Sequence, residues 1–387
     1  MSWPLVKLCD VAPAKPSKNA FSKSEEVWTL NLDQVEADTG KVLGKIMAPV
    51  SEAGTSTHGF DERHVLYSKL RPYLNKVVLP DGRGLATTEL VPMLPDPSRL
   101  DRKYLAYYLR SKSFVDWVSS QVAGAKMPRV SMQLFWQHEI PLPPLPEQKR
   151  IAAILDKADA IRRKRQQAIQ LADDFLRAVF LDMFGDPVTN PKGWNVVELS
   201  TLVDPDDKLN YGVVQPGDHE EDGVPLVRSG DLSDVTPDVS QLRRVSSSID
   251  SKHRKSKLKG NEILIACVGT IGRVGWVSEA MIGWNIARAV TRIPIREGVN
   301  REYVYRYLQN PVVQGYFERE TRAVAQPTLN VGLIAKTPVA LPPHDLQLAF
   351  LERYRTIQAY KECLLVALGA QDELAGCLSQ RAFAGQL

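Results

Sequence analysis

Residues 142–184, LPPLPEQKRIAAILDKADAIRRKRQQAIQLADDFLRAVFLDMF, open on a proline-rich stop and then run from Glu147 to Phe184 without Pro or Gly. Alternating steps of three and four from residue 151 meet Ile151, Ile154, Ala158, Ile161, Arg165, Ala168, Ala172, Phe175 and Val179. Only Arg165 interrupts this apolar track. Sustained heptad spacing marks a helix that packs along a partner helix rather than one lying on a globular surface. At about 1.5 Å per residue such a helix reaches about 57 Å.

The partner is inside the same chain. LPP at 142–144 recurs at 341–343, an offset of 199. Upstream, the same offset lays DRKYLAYYLR (101–110) on NREYVYRYLQ (300–309), matching Arg102 with Arg301, Tyr104 with Tyr303 and Tyr108 with Tyr307. Downstream, it carries the heptad track onto Phe350, Arg353, Ile357, Tyr360, Leu364, Ala367, Gln371, Leu374 and Leu378. One unit, a domain followed by a helix, is present twice. Two helices with matched seams are expected to pack antiparallel, relating the two domains by a pseudo-two-fold axis.

Between the helices the chain reads as mixed structure. VWTLNL (27–32), RHVLYSKL (63–70) and KVVL (76–79) are strand-like, as are VPLVRSG (224–230), EILIACVG (262–269) and RVGWV (273–277). Segments 101–122 and 300–320 each read as one amphipathic helix. EIPLPPLP (139–146), VALPPHD (339–345) and GDPVTNPKGW (185–194) read as extended or turn boundaries, because repeated Pro continues neither a helix nor a central strand. The expected fold class is α/β (α+β): domains at 1–142 and 189–341, spacer helices at 143–188 and 342–387.

The residues offer no catalytic constellation. Gly269, Gly272 and Gly275 lack a following Gly-Lys-Ser/Thr and read as a strand-to-strand turn. Asn190-Pro191-Lys192-Gly193 lacks the second Pro and the aromatic of an adenine methyltransferase motif and reads as a turn. The six histidines show no metal-ligand spacing, and His58 and His64 read as loop residues. Dispersed carboxylates of a nuclease remain an alternative. Cys9, Cys267, Cys363 and Cys377 are scattered, with Cys363 and Cys377 expected on one packed helix face. No run of about 18 apolar residues occurs, and no secretory leader is visible. A reducing, cytoplasmic setting without membrane contact is expected.

Charge is informative by place rather than by total, since the net charge is only +4. QLRRVSSSIDSKHRKSKLKG (241–260) carries Arg243, Arg244, Lys252, His253, Arg254, Lys255, Lys257 and Lys259 against a single acid, Asp250. A Ser-rich cationic stretch of this kind suits phosphate contact. Lys69, Arg71, Lys76, Arg83, Lys126 and Arg129 are candidates for the same work in the first domain, with Arg228 and Arg273 in the second. The loops near Lys126 and at AQPT (325–328) are placed to present side chains to base edges. Arg162, Arg163 and Lys164 read as a solvated or partner-facing run, with Asp156 and Asp159 as neighbours at helical spacing. Arg165 is a candidate for setting the register of the seam. Tyr104, Tyr107 and Tyr108 read as core.

These strings resemble the specificity (S) subunits of Type I restriction-modification systems. The resemblance lies in YSKLRPYLNKV (67–77), IPLPPLPEQKRIAAIL (140–155), FGDPVTNPKGW (184–194), GTIGRVGW (269–276) and the weaker LPPHDLQ (341–347). The second spacer departs from the PEQ-xx-I pattern. The resemblance implies a subunit without chemistry of its own, whose two target-recognition domains each read half of a split, asymmetric double-stranded DNA site. It further implies two methyltransferase (modification) subunits as partners and, in restriction complexes, a translocating endonuclease. AdoMet, Mg and ATP would then belong to those partners, with no cofactor or metal in this chain. The rival is a coiled-coil protein-interaction scaffold.

Overall fold

In a computed structural model the chain is described at residues 3–18, 21, 22, 24–54, 56–123, 127–321 and 328–387. It divides into two compact units, residues 1–169 with 363–387 and residues 170–362. Each contains one mixed domain and a segment of each long helix.

In the first unit a four-stranded sheet has the order Ile46–Pro49, Glu26–Leu30, Gly84–Thr87, Thr57–Phe60. A three-stranded sheet has the order Val77–Val78, Val65–Ser68, Leu90–Met93. Glu26–Leu30 runs parallel to Gly84–Thr87 while its other neighbour is antiparallel, so the sheet is mixed. The second unit has a four-stranded sheet, Asn210–Tyr211, Val290–Pro294, Glu262–Ala266, Val274–Trp276. Its three-stranded sheet is Arg243–Val245, Val224–Val227, Asn285–Ile286, the last pair parallel. Chain entry and exit are tied together in each unit, Leu5–Lys7 pairing with Glu139–Pro141 and Asn195–Glu198 with Pro338–Leu341. The proline-rich boundaries therefore begin as strands, which the fixed φ of Pro allows at an edge.

Residues 101–122 and 300–320 are not single helices. Arg102–Arg110 and Lys112–Ser120 are separated at Ser111, whose hydroxyl caps the second by accepting from Phe114 N–H. Arg301–Gln309 and Pro311–Thr321 break where Pro311 has no N–H to continue the ladder. The periodicity survives a one-residue break, so the pattern alone did not show it. Tyr104 and Tyr108 are buried, and Tyr107, half-buried, bonds Asp156 and Asp159. Those acids thus face the domain; Asp156 also pairs with Lys103 at 2.5 Å. At the repeat-equivalent place Glu302 pairs with Arg355, the same contact with its charges exchanged.

The repeat is legible atom by atom in the anchoring bonds. Tyr104 donates to the carbonyl of Pro141 at 2.9 Å, and Tyr303 to that of Ala340 at 2.8 Å. Buried Gln148 donates to the Pro143 carbonyl at 2.7 Å, and Gln347 to Pro342 at 2.9 Å. The second spacer therefore keeps its working glutamine despite lacking the PEQ pattern.

The long helices run Leu145–Phe184 and His344–Phe383. In the first unit Gln371 donates to Ala158 O at 3.1 Å, and Arg165 donates to Ala367 O at 2.6 Å. In the second unit Lys361 pairs with Asp173 and Phe350 stacks edge-on against Phe180. Numbers rise on one helix as they fall on the other, so the pairing is antiparallel within each unit.

The seam differs from the expected one at alternate positions. Ile151, Ala158, Ala172, Val179 and Phe350 are buried, and Ile357 and Leu364 half-buried. Ile161, Phe175, Tyr360 and Leu374 are 46, 57, 60 and 56% exposed. Buried or half-buried positions here are instead Leu155, Arg162, Tyr354 and Lys361, one residue further along than Ile154, Ile161, Arg353 and Tyr360. Arg162 lies at the contact because Asp372 meets it at 3.0 Å, just as Asp173 meets Lys361. Adding 199 to Arg162 and Asp173 gives Lys361 and Asp372, so one ion pair is built twice. Ala168 and Ala367 are half-buried, as is Leu378, which packs with the first domain's core. Cys363 and Cys377 are exposed, not on a shared packed face.

Candidate nucleic-acid interface

Each domain carries a cationic turn after its central strand. In the first unit the turn follows Val65–Ser68, and Arg71 and Asn75 both adopt left-handed backbone, φ 48° and 49°. Such conformations cost about 1–2 kcal/mol for non-glycine residues. The turn is held by Arg71 N–H to Pro128 O at 2.8 Å, Lys69 N–H to Glu89 O at 3.0 Å and Val130 N–H to Lys69 O at 3.1 Å. These bonds bring together Lys69, Arg71 and Arg129, the last forked onto Glu89. Tyr73 and Met127, half exposed, lie in the same two segments. Lys126 falls outside the described residues, as do residues 325–327 of the equivalent loop.

The second unit repeats the arrangement with glycine. Gly269 and Gly272, both at φ 82°, occupy the turn after Glu262–Ala266. Leu329 N–H bonds Cys267 O at 3.0 Å, the counterpart of Val130 to Lys69. Thr270 donates to Ser229 O at 3.4 Å, so the turn abuts Arg228, which is paired with Asp231 at 3.0 Å. Arg273 is exposed and unpaired among the described residues. Arg288 joins this group: Ala287 N–H bonds Val227 O and Cys267 N–H bonds Ala289 O, placing Arg288 between Arg228 and the turn. Sequence reasoning missed Arg288, a lone cation with no local pattern around it.

Several expected phosphate contacts have partners within their own domain. Lys76 Nζ donates to Leu32 O at 2.6 Å. Arg83 pairs with Glu25 at 3.0 Å and lies over the Phe21 ring. Arg243 donates to Gly217 O and Arg244 to Gly223 O, both half-buried. Lys257 pairs with Asp250 at 2.6 Å and Lys259 with Asp207 at 2.9 Å. His253 Nδ1 lies 2.9 Å from Ile249 O. Lys252, Arg254 and Lys255 remain exposed and unpaired among the described residues. His64 is buried against Asp61 and Lys15 O. The Arg63 guanidinium, hydrogen-bonded to Asp61, holds that carboxyl well below the usual carboxylate range. Among the described residues no cluster of His, Cys, Asp and Glu could hold a metal ion, and no helix is long and apolar enough to cross a membrane.

A duplicated mixed-sheet domain, each copy presenting a cationic turn and each followed by one of two paired helices, defines a class of repeat-built recognition proteins. The chain belongs to the Type I restriction modification DNA specificity domain family, whose model matches it at residues 60–171 and again at 191–357. The EcoBI specificity subunit of Escherichia coli is 29% identical over 309 residues, covering 73% of this chain and 65% of that subunit. The chain thus spans about two thirds of that relative's length. The MjaVIII specificity subunit of Methanocaldococcus jannaschii is 22% identical over 305 residues, covering 71% and 68%. A solved chain from work on complex assembly and conformational transition of the type I R-M system superposes with a TM-score of 0.67 at 19% identity, covering 100% of this chain and 98% of that one. A Type-I restriction-modification S subunit from M. genitalium gives 0.56 at 14%, covering 99% and 96%. Both likenesses concern the fold.

Proposed function

We propose that this chain is the DNA-recognition subunit of a Type I restriction-modification complex. Each domain reads one half of a bipartite, asymmetric site, and the paired helices set the distance between halves. The observation carrying this reading is that the turn after Val65–Ser68 and its repeat counterpart after Glu262–Ala266 each lie among cations, Lys69, Arg71 and Arg129 in one and Arg273 with Arg228 and Arg288 from neighbouring segments in the other. Two modification subunits dock on the helices, where Ile161, Leu171, Phe175, Tyr360, Val366 and Leu374 are exposed apolar groups. The chain does no chemistry itself; AdoMet, Mg and ATP belong to the partner subunits, which in restriction complexes include a translocating endonuclease.

Filter binding with random duplexes tests the reading. Affinity is expected to fall steeply with salt, each neutralised phosphate adding about 0.9 to the slope of log K against log salt. Absence of binding at low salt would favour the scaffold alternative. Inserting one heptad into both helices is expected to lengthen the unspecified spacer of the methylated site; an unchanged spacer would refute the ruler role.

Arg71→Gly gives a finer test. Relief of roughly 1–2 kcal/mol of left-handed strain is offset by roughly 0.5–1 kcal/mol of added chain entropy. Thermal stability should therefore be unchanged or modestly raised while duplex affinity drops. Unchanged affinity would remove Arg71 from the interface.

A further inference from the structure

Three buried polar side chains hold the cationic stretch of the second unit from beneath. Asn285, fully buried, accepts from Ser256 Oγ at 2.6 Å and donates to His253 O at 3.2 Å. Arg292, also fully buried, donates to Lys255 O at 2.8 Å, to Asp207 at 2.7 Å and to Glu262 at 2.8 Å. Glu262 in turn accepts the backbone N–H groups of Lys259 and Gly260, each at 2.9 Å. The backbone at residues 253, 255, 259 and 260 is thereby pinned to the strands Glu262–Ala266, Asn285–Ile286 and Val290–Pro294. Above these anchors Lys252, Arg254 and Lys255 are exposed and make no ion pair among the described residues, whereas Lys257 and Lys259 are neutralised by Asp250 and Asp207.

A buried Arg–Glu pair is a poor way to gain stability. Desolvating the two ions offsets most of their attraction, and a well-packed apolar pair of similar volume often serves as well or better. An apolar pair cannot, however, bond to the carbonyl of Lys255 or the N–H groups of Lys259 and Gly260. We infer that Arg292, Glu262 and Asn285 are positioning residues that preorganise Lys252, Arg254 and Lys255 as a clamp on nucleic-acid phosphates. The inference rests on the DNA-binding reading above. Phosphate contacts fix register on the duplex without carrying base information, and a clamp already ordered avoids an ordering cost on binding.

Duplex binding by the full chain, measured across a salt series beside thermal melts, tests this. Combined replacement of Lys252, Arg254 and Lys255 by alanine should reduce the salt slope by about 2.7, at about 0.9 per phosphate. Arg292→Met with Glu262→Leu leaves the Lys255 carbonyl and the Lys259 and Gly260 N–H groups without these partners; it should melt somewhat below the parent, remain folded at the binding temperature and lose much of that slope. Joining the two sets should add little further loss. A second variant, Arg292→Lys, keeps the charge beside Glu262 and Asp207 but lacks the fork that also reaches Lys255 O; it should fold and show a partial loss of slope. Losses that simply add, or a parental slope in either folded Arg292 variant, would overturn the positioning role. A parent that binds duplex while the triple alanine variant keeps its slope would overturn the clamp alone. A parent that does not bind even at low salt would overturn the DNA-binding reading itself.

Discussion

Phe350→Ala is expected to destabilise the unit formed by residues 170–362 by about 3–5 kcal/mol, the range for deleting a buried aromatic ring. Phe350 is 2% exposed and meets Phe180 and Phe184 edge-on, with ring centroids 5.7 and 5.1 Å apart. Phe184 in turn contacts Tyr303, whose hydroxyl anchors Ala340 O. One ring therefore joins both long helices to the domain core of that unit. Its repeat counterpart, Ile151, is smaller and 1% exposed. Because the chain has two compact units, unfolding need not be a single two-state step. The shift should appear in one transition of a denaturant titration. A loss below about 1 kcal/mol would mean that the junction collapses around the missing ring.

The polar layer in the helix pair should respond differently to single and double replacement. Arg165 donates to Ala367 O at 2.6 Å and to Gln371 Oε1 at 2.7 Å, while Gln371, 8% exposed, donates to Ala158 O. Gln371→Ala removes one acceptor of a half-buried guanidinium and is expected to cost about 1–3 kcal/mol. Arg165→Leu together with Gln371→Ala installs the residues found at the repeat-equivalent places, Leu364 and Ala172. That double variant should recover parental stability or exceed it, since polar seam residues specify register at a cost in stability. The price would be register: cysteine pairs placed across the seam should cross-link at one spacing in the parent and at more than one in the double variant. Additive losses, or a single cross-link spacing in the double variant, would refute the role.

Much of the site was legible and part of it was not. Glycine marked the turn at Gly269, whereas Arg71 entered only as a basic residue after a strand, since its left-handed backbone leaves no mark in the sequence. Lys76, Arg83, Arg243 and Lys257 looked like free cations because their partners, Leu32 O, Glu25, Gly217 O and Asp250, lie 7 to 58 residues away along the chain. Arg288 was invisible for the opposite reason. Its setting comes from backbone bonds at Ala287 and Ala289 to two other strands, and nothing beside it in the sequence marks it.

The sequence alone determined the duplication, both long helices, some of the strands but not Gly84–Thr87, Leu90–Met93 or Val290–Pro294, and the presence of Arg165 at the helix contact. Each of these rests on periodicity, offset or turn residues that a local window contains. Only the tertiary structure decided which neighbouring track of each helix faces its partner. Ile154 and Ile161 make the more apolar track, yet Arg162 lies at the contact opposite Asp372, as Lys361 lies opposite Asp173. A charge met across a helix pair can occupy a seam that hydrophobicity alone assigns elsewhere.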